Sequence, residues 1–169
     1  MALELMADQN FGDLDAILTT VSGGGMASGI SIAAKSINPS IKIILVEPVG
    51  KGLSECLRSG ERRWPNPPQF LNTIAEGIKT QQLGQLTFPI LCDLAEHHVI
   101  TVTDDEMVEG MKIVAERMKL VIEASAGAVV AAAILKASEI LEKWPNIKNI
   151  GVVLCGGNTD LNNLPWLVK

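Results

Sequence analysis

Nothing in this chain marks it for nucleic acid or for a bilayer. Acidic residues outnumber basic ones, 19 to 14, for a formal charge of −5. The positive surface that tracks a phosphate backbone is therefore missing. The longest apolar runs, such as 126–135, fall well short of the roughly 20 residues a membrane-spanning helix needs. Met1–Asp8 lacks the basic segment and cleavage pattern of a signal peptide. Three cysteines, Cys56, Cys92 and Cys155, stand far apart with no Cys-x-x-Cys, which excludes a disulfide framework and leaves a reduced, cytoplasmic setting as the expectation. Two histidines, His97 and His98, are adjacent; on a strand they point to opposite faces and share no metal. Repeats and low-complexity tails are absent. So are the G-x-G-x-x-G and G-x-x-x-x-G-K-[ST] fingerprints of nucleotide loops.

What the chain does have is a core. With 169 residues and 47% hydrophobic content, it suits one domain. Runs rich in Val, Ile, Leu and Thr predict strands at 14–21, 41–46, 98–102 and 148–154. Helical periodicity predicts helices at 26–37, 84–96, 104–119 and 125–143. Alternation of the two predicts an α/β fold with a mainly parallel sheet flanked by helices. Thr103-Asp104-Asp105-Glu106 is a capping box opening the third helix. Met107, Val108, Met111, Val114 and Met118 form an apolar stripe expected in the core. Small residues over 124–135 suit close packing on a sheet. The prolines of Trp64–Pro68 predict the longest irregular region. Met1–Gln9 reads as a further helix, so that the chain is expected to begin inside a domain.

Two glycine clusters each follow an apolar run: Ser22-Gly23-Gly24-Gly25-Met26 and Cys155-Gly156-Gly157-Asn158. In open α/β sheets ligands bind outside the carboxyl ends of strands, so two glycine-lined ends predict one crevice. The first cluster leads directly into a helix. Glycines let backbone N–H groups turn toward a ligand, and a helix N-terminus adds unpaired donors and a positive dipole end. Two readings stand at this point: an anion cradle, most simply for phosphate, or a tight strand-to-helix turn. On the first reading Gly24→Val is expected to fill the phosphate space and to harm phosphate binding more than folding.

The ordered set Val21–Met26, Val46-Glu47-Pro48, Ala75-Glu76-Gly77, Glu116–Glu123 and Cys155–Asn158 resembles the serine racemase and serine/threonine dehydratase family of pyridoxal-phosphate enzymes over nearly the whole chain. The resemblance implies fold type II, in which the cofactor lies between a large and a small domain. It implies that Ser22, Gly23, Gly24, Gly25 and Met26 hold the cofactor phosphate. It implies that Gly77 and Glu123 line the cofactor site, that Glu76 stands where relatives carry Asp or Glu, and that Cys155 meets the pyridine nitrogen. A neutral partner there suits racemization of serine and elimination to pyruvate and ammonia. Cys56 and Cys92 are expected to be core residues. The resemblance further implies a divalent cation, Mg or Ca, at Glu47, although the relatives' partner acid falls within 50–53, where none stands; Glu55 is nearest. Arg117 and Lys119 resemble residues bordering an effector nucleotide at a subunit interface; a basic helix end facing its dipole accounts for them equally. Implied partners are a small amino-acid substrate and a second copy in a full-length homodimer.

Other parts of that family's pattern are missing. No Ser-x-Lys-x-Arg segment carries a Schiff-base lysine; Lys51, Lys79 and Lys119 lack its context. The Ser-Gly-Asn-His loop that grips a substrate carboxylate is absent too. The resemblance is thus to the carboxy-terminal, large-domain part of such an enzyme, over 1–169, with the small domain and lysine segment lacking and no catalytic residue in the chain. Alone, the chain is expected to be inactive. The alternatives are a non-catalytic partner of a full-length homologue and an unrelated phosphate-binding α/β module.

Overall fold

The computed structural model describes residues 1–8, 13–63, 67 and 69–167. Four short strands form one sheet: β1 (Ala16–Thr20), β2 (Lys42–Pro48), β3 (Ile100–Val102) and β4 (Ile150–Val152). Their order is β3-β2-β1-β4 and every pairing is parallel, as the near-continuous apolar runs predict. The chain leaves β1, steps outward through β2 and β3, then returns to the other side of β1. Strand order therefore reverses between β1 and β4, which is where an open sheet forms its ligand crevice. Ala16 pairs with Ile150 and Leu18 with Val152, so both glycine clusters leave the same sheet edge side by side.

Strand residues alternate between two buried layers. Ala16, Leu18, Ile44, Val46, Ile100 and Val102 face one apolar cluster. Ile17, Ile43 and Leu45 face the other. The first layer packs under α5 (Asp104–Ile113), α6 (Ala124–Leu135) and α7 (Ala137–Lys143). The second packs under α1 (Ala2–Ala7), α2 (Gly25–Ile37), α3 (Leu53–Ser59) and α4 (Thr87–Leu94). Cys56 and Cys92 belong to this second layer, as expected. No single helix among the described residues is long and apolar enough to cross a membrane.

Several boundaries differ from the expected ones for physical reasons. The strands at 98–102 and 148–154 shorten to three residues each. The helix expected over 84–96 starts only at Thr87, because the N–H of Gly84 donates to the carbonyl of Gly23, 2.9 Å away. Helix α3 was not foreseen; it runs between Gly52 and Gly60, whose φ of 69° and 71° are the left-handed values glycine adopts freely. The helix expected over 104–119 is regular only to Ile113 and then widens into a π turn, Val114–Met118, ended by Lys119 at φ 60°. The wider turn rotates later side chains off the α-helical stripe. Met107, Met111 and Val114 are buried accordingly, whereas Met118 is exposed, contrary to the expectation. The helix expected over 125–143 breaks at Lys136 into α6 and α7, 66° apart; the Lys136 ammonium is held 2.5 Å from the Glu106 carboxylate on α5. The capping box is present as predicted, with Thr103 and Glu106 each accepting the other's N–H. Of the irregular 64–68 stretch, residues 64–66 and 68 lie outside the described residues, as does Gln9 of the expected first helix.

Candidate functional site

At the carboxyl ends of β1 and β4 lies a cavity of about 210 Å³. Ser22, Gly23, Gly24, Gly25, Met26, Gly77, Glu123 and Cys155 all line it; every residue the sequence put at the cofactor is brought to this one place. Thr20, Ala27, Ile78 and Ser125 complete the wall. A larger recess of about 700 Å³ adjoins it through the shared Gly77, Glu123 and Ser125, and reaches Asn158 and Asp160. Glu76 faces this outer recess rather than the inner cavity.

The floor of the cavity is the glycine loop, held from behind by its carbonyls. The carbonyls of Val21 and Ser22 accept hydrogen bonds from the Lys51 ammonium at 2.8 and 3.1 Å. The carbonyl of Gly23 accepts from the N–H of Gly84 at 2.9 Å and the Thr87 hydroxyl at 2.5 Å. In a planar trans peptide the C=O and the following N–H point opposite ways. With these carbonyls turned into the protein, the N–H groups of Ser22, Gly23 and Gly24 turn to the other side. The first-turn N–H groups of α2, from Gly25 onward, have no intrahelical acceptor. Donors and dipole thus converge on one point, which is what a phosphate requires.

The three glycines have different jobs. Gly24 has φ 93°, and a Cβ there would lie 2.8 Å from Thr87 Oγ1 and 3.0 Å from Leu83 Cδ2. It is glycine for the loop's own shape, so Gly24→Val strikes the fold and not the phosphate space; that expectation is corrected. Gly23 and Gly25 would present a Cβ to open space, and Gly25 is exposed. Theirs is the surface kept bare for a ligand.

The walls are built by polar groups that meet across elements. Thr20 Oγ1 and Cys155 Sγ lie 3.3 Å apart, joining the ends of β1 and β4. Ser22 Oγ lies 2.9 Å from Thr80 Oγ1. Glu123 is the N-cap residue of α6, and its N–H donates to the carbonyl of Gly156 at 3.1 Å. A Cβ on Gly156 would come 2.7 Å from the Glu123 carboxyl carbon, and one on Gly77 would come 2.8 Å from Ser125 Oγ. Gly77 N–H donates to that hydroxyl at 3.1 Å. Two glycines on opposite sides therefore make the slot that seats Glu123 and Ser125. Sequence reading missed Thr20, Ser125, Thr80 and the anchoring by Lys51. Thr20 sits within an apolar run and Ser125 within a small-residue helix, so neither announces itself.

Glu47 is 2% exposed. Both carboxylate oxygens accept the N–H of Leu53, at 3.2 and 3.1 Å. Burial raises its pKa to about 7, against hydrogen bonding from Leu53 and the charge of Lys51. Burial likewise lowers the pKa of Lys51 to about 8, opposed by Glu47. Hard cations take six or more oxygens. Here Glu47 is occupied by backbone N–H, the buried Lys51 ammonium already acts on it electrostatically, and Glu55 is exposed and paired with Arg63 at 2.5 Å. Among the described residues no three acidic, His or Cys side chains gather for a metal. The site does not fit the expected Mg or Ca. Because folding raises the Glu47 pKa, its contribution to stability is complete below the unfolded value of about 4.5 and is lost as pH rises through 7. Chemical denaturation from pH 4.5 to 7.5 is expected to show that decline, amounting to roughly 3 kcal/mol. Glu47→Gln should flatten it.

Arg117 and Lys119 lie at the π turn, exposed and outside the cavity. The Lys119 ammonium donates to the carbonyl of Glu116 at 2.6 Å. The Lys79 ammonium is paired with the Glu76 carboxylate. Among the described residues no lysine lines the inner cavity.

Residues 1–156 match the family described as pyridoxal-phosphate dependent enzyme. Serine racemase from Dictyostelium discoideum is 46% identical over 99% of this chain and 50% of its own length. L-threo-3-hydroxyaspartate ammonia-lyase from Saccharomyces cerevisiae is 38% identical over 95% of this chain and 47% of its own. A crystal structure of a pyridoxal 5′-phosphate-dependent aspartate racemase superposes with a TM-score of 0.92 at 55% identity, covering 98% of this chain and 50% of that one. The chain spans about half the length of the curated relatives it matches.

Proposed function

The chain belongs to the pyridoxal-phosphate dependent enzyme family, and from that premise we propose that it is the large-domain segment of a serine racemase with serine/threonine ammonia-lyase activity. The observation that carries this reading is the bare glycine loop over the N-terminus of α2, with its carbonyls tied back and its N–H groups free to grip phosphate. When bound, pyridoxal phosphate supplies an electron sink that makes the α-proton of an amino acid removable.

The chain's own residues would bind and orient it. Gly23, Gly25 and Met26 hold the phosphate, and Gly24 sets the turn that aims them. Thr20 and Cys155, in contact with each other, present a neutral hydroxyl and thiol at the two strand ends. Either would meet the pyridine nitrogen without offering the negative charge that a carboxylate would bring there. Glu123 and Ser125, seated by Gly77 and Gly156, border the passage to the outer recess, where an amino-acid substrate would enter. No described lysine reaches the cavity, so a base for the α-proton would come from outside this chain, and the isolated chain would not turn over.

The 55% identity with an aspartate racemase favours a second substrate, aspartate, on the same scaffold. Mapping and assay test both points. The isolated chain is incubated with pyridoxal phosphate, reduced with borohydride and digested; mass spectrometry is expected to find no specific pyridoxyl-lysine. Adding the amino-terminal half of the Dictyostelium relative is expected to place the label on that half and to start racemization, with L-serine and L-aspartate compared as substrates. A single specific pyridoxyl-lysine within this chain would overturn the reading.

A further inference from the structure

Lys51 is buried near the cavity, 4% exposed, and supplies two of the bonds that tie the glycine loop back. Its ammonium has three donors and three carbonyl acceptors: Val21 at 2.8 Å, Ser22 at 3.1 Å and Thr80 at 2.6 Å. The first two carbonyls open the glycine loop. The third belongs to the segment bridged to Phe70, and the Thr80 hydroxyl also meets Ser22 Oγ. One side chain therefore ties β1's exit to a second, non-adjacent segment, and fixes which way the peptides of Val21 and Ser22 face.

We propose that Lys51 is a built-in cation that holds the phosphate cradle in its binding shape, at the place where a divalent ion was expected from the resemblance. A magnesium or calcium ion held by Glu47 would share its buried surroundings with this ammonium, whose charge already acts on Glu47, and like charges repel more strongly where water is excluded. The lysine also brings a positive charge under the loop without loading from solution. It is a positioning residue: it touches the carbonyls, and through the planar peptides it aims the N–H groups of Ser22 and Gly23. The inference rests on the loop's being a phosphate cradle.

The test uses the whole chain, with pyridoxal phosphate, inorganic phosphate, magnesium and calcium as probes. For the wild type, melting temperature and affinity for pyridoxal phosphate are expected to be the same in EDTA and in millimolar magnesium or calcium. Lys51→Met, which keeps the stem and removes the donors, is expected to weaken that affinity at least about tenfold and to speed hydrogen exchange at Ser22 and Gly23. Ile140→Ala, which opens a cavity under α7 away from the loop, should keep wild-type affinity, which separates positioning from general loss of stability. Lys51→Arg, which keeps the charge, should retain folding and most of the affinity where Lys51→Met does not fold. Saturable magnesium or calcium binding that raises wild-type melting temperature and cofactor affinity would overturn the inference, as would undiminished affinity in Lys51→Met. Failure of the wild type to bind either phosphate probe would instead strike the cradle reading, and the metal arm would still report on Lys51.

Discussion

Gly25→Val is expected to lower the affinity of the chain for pyridoxal phosphate at least about a hundredfold, the equivalent of ~2.7 kcal/mol, while the chain still folds. A Cβ at Gly25 meets nothing within 4 Å beyond its chain neighbours and its own helix turn, and the residue is not among those with positive φ. A Cβ there is tolerated by the fold, and because Gly25 lines the cavity, valine's branched side chain is expected to take up space over the N-terminus of α2. That space is where the free N–H groups and the helix dipole converge. The same substitution at Gly24 is expected to behave differently. Its φ of 93° and the 2.8 Å approach to Thr87 Oγ1 make Gly24→Val a folding defect. Thermal melts beside cofactor titrations separate the two. Equal stability losses at both positions, with equal losses of affinity, would contradict the division of labour among the three glycines.

Gly127→Ala is expected to cost about 3 kcal/mol or more of stability, toward the upper end of what overpacking does, and to lower the melting temperature by roughly 10 °C. Helices α5 and α6 cross at two glycines. A Cβ at Gly127 would lie 2.5 Å from the carbonyl oxygen of Met107, and one at Gly110 would lie 2.3 Å from the carbonyl oxygen of Gly127. Both obstacles are backbone, which no rotamer change can move aside. The crossing matters to function because α6 begins with Glu123 and Ser125, on the cavity wall. Gly151→Ala is the comparison: there the Cβ meets the ends of Leu5 and Leu14 at 2.9 and 3.0 Å, and flexible side chains give way. A Gly127→Ala variant no less stable than Gly151→Ala would mean that the crossing is looser than described.

The parallel sheet was legible because its two central strands, β1 and β2, are buried on both faces and lie in near-continuous apolar runs. The site was legible because glycine is the one residue whose presence reports backbone geometry directly. Two such clusters, each after a strand, predicted the crevice that β1 and β4 form. Helix boundaries were less legible. The π turn after Ile113 and the break at Lys136 carry no Pro or Gly signal; both depend on how α5, α6 and α7 share one face of the sheet. The roles of single glycines were also hidden, because the sequence does not say which Cβ would meet Thr87 and which would meet open space. Lys51 was dismissed as a lysine without a catalytic context. What it does depends on three carbonyls from two other segments, and pairing of that kind exists only once the fold is formed.

On the reading proposed above, the chain grips a phosphate with the backbone of residues 22–26. The most direct measurement is amide NMR of the chain titrated in parallel with pyridoxal phosphate, inorganic phosphate and unphosphorylated pyridoxal. Both phosphate-bearing probes are expected to shift the amides of Gly23, Gly24, Gly25 and Met26, and pyridoxal to leave them unmoved. Pyridoxal binding as tightly as its phosphate ester, or phosphate binding that leaves these amides unshifted, would contradict it.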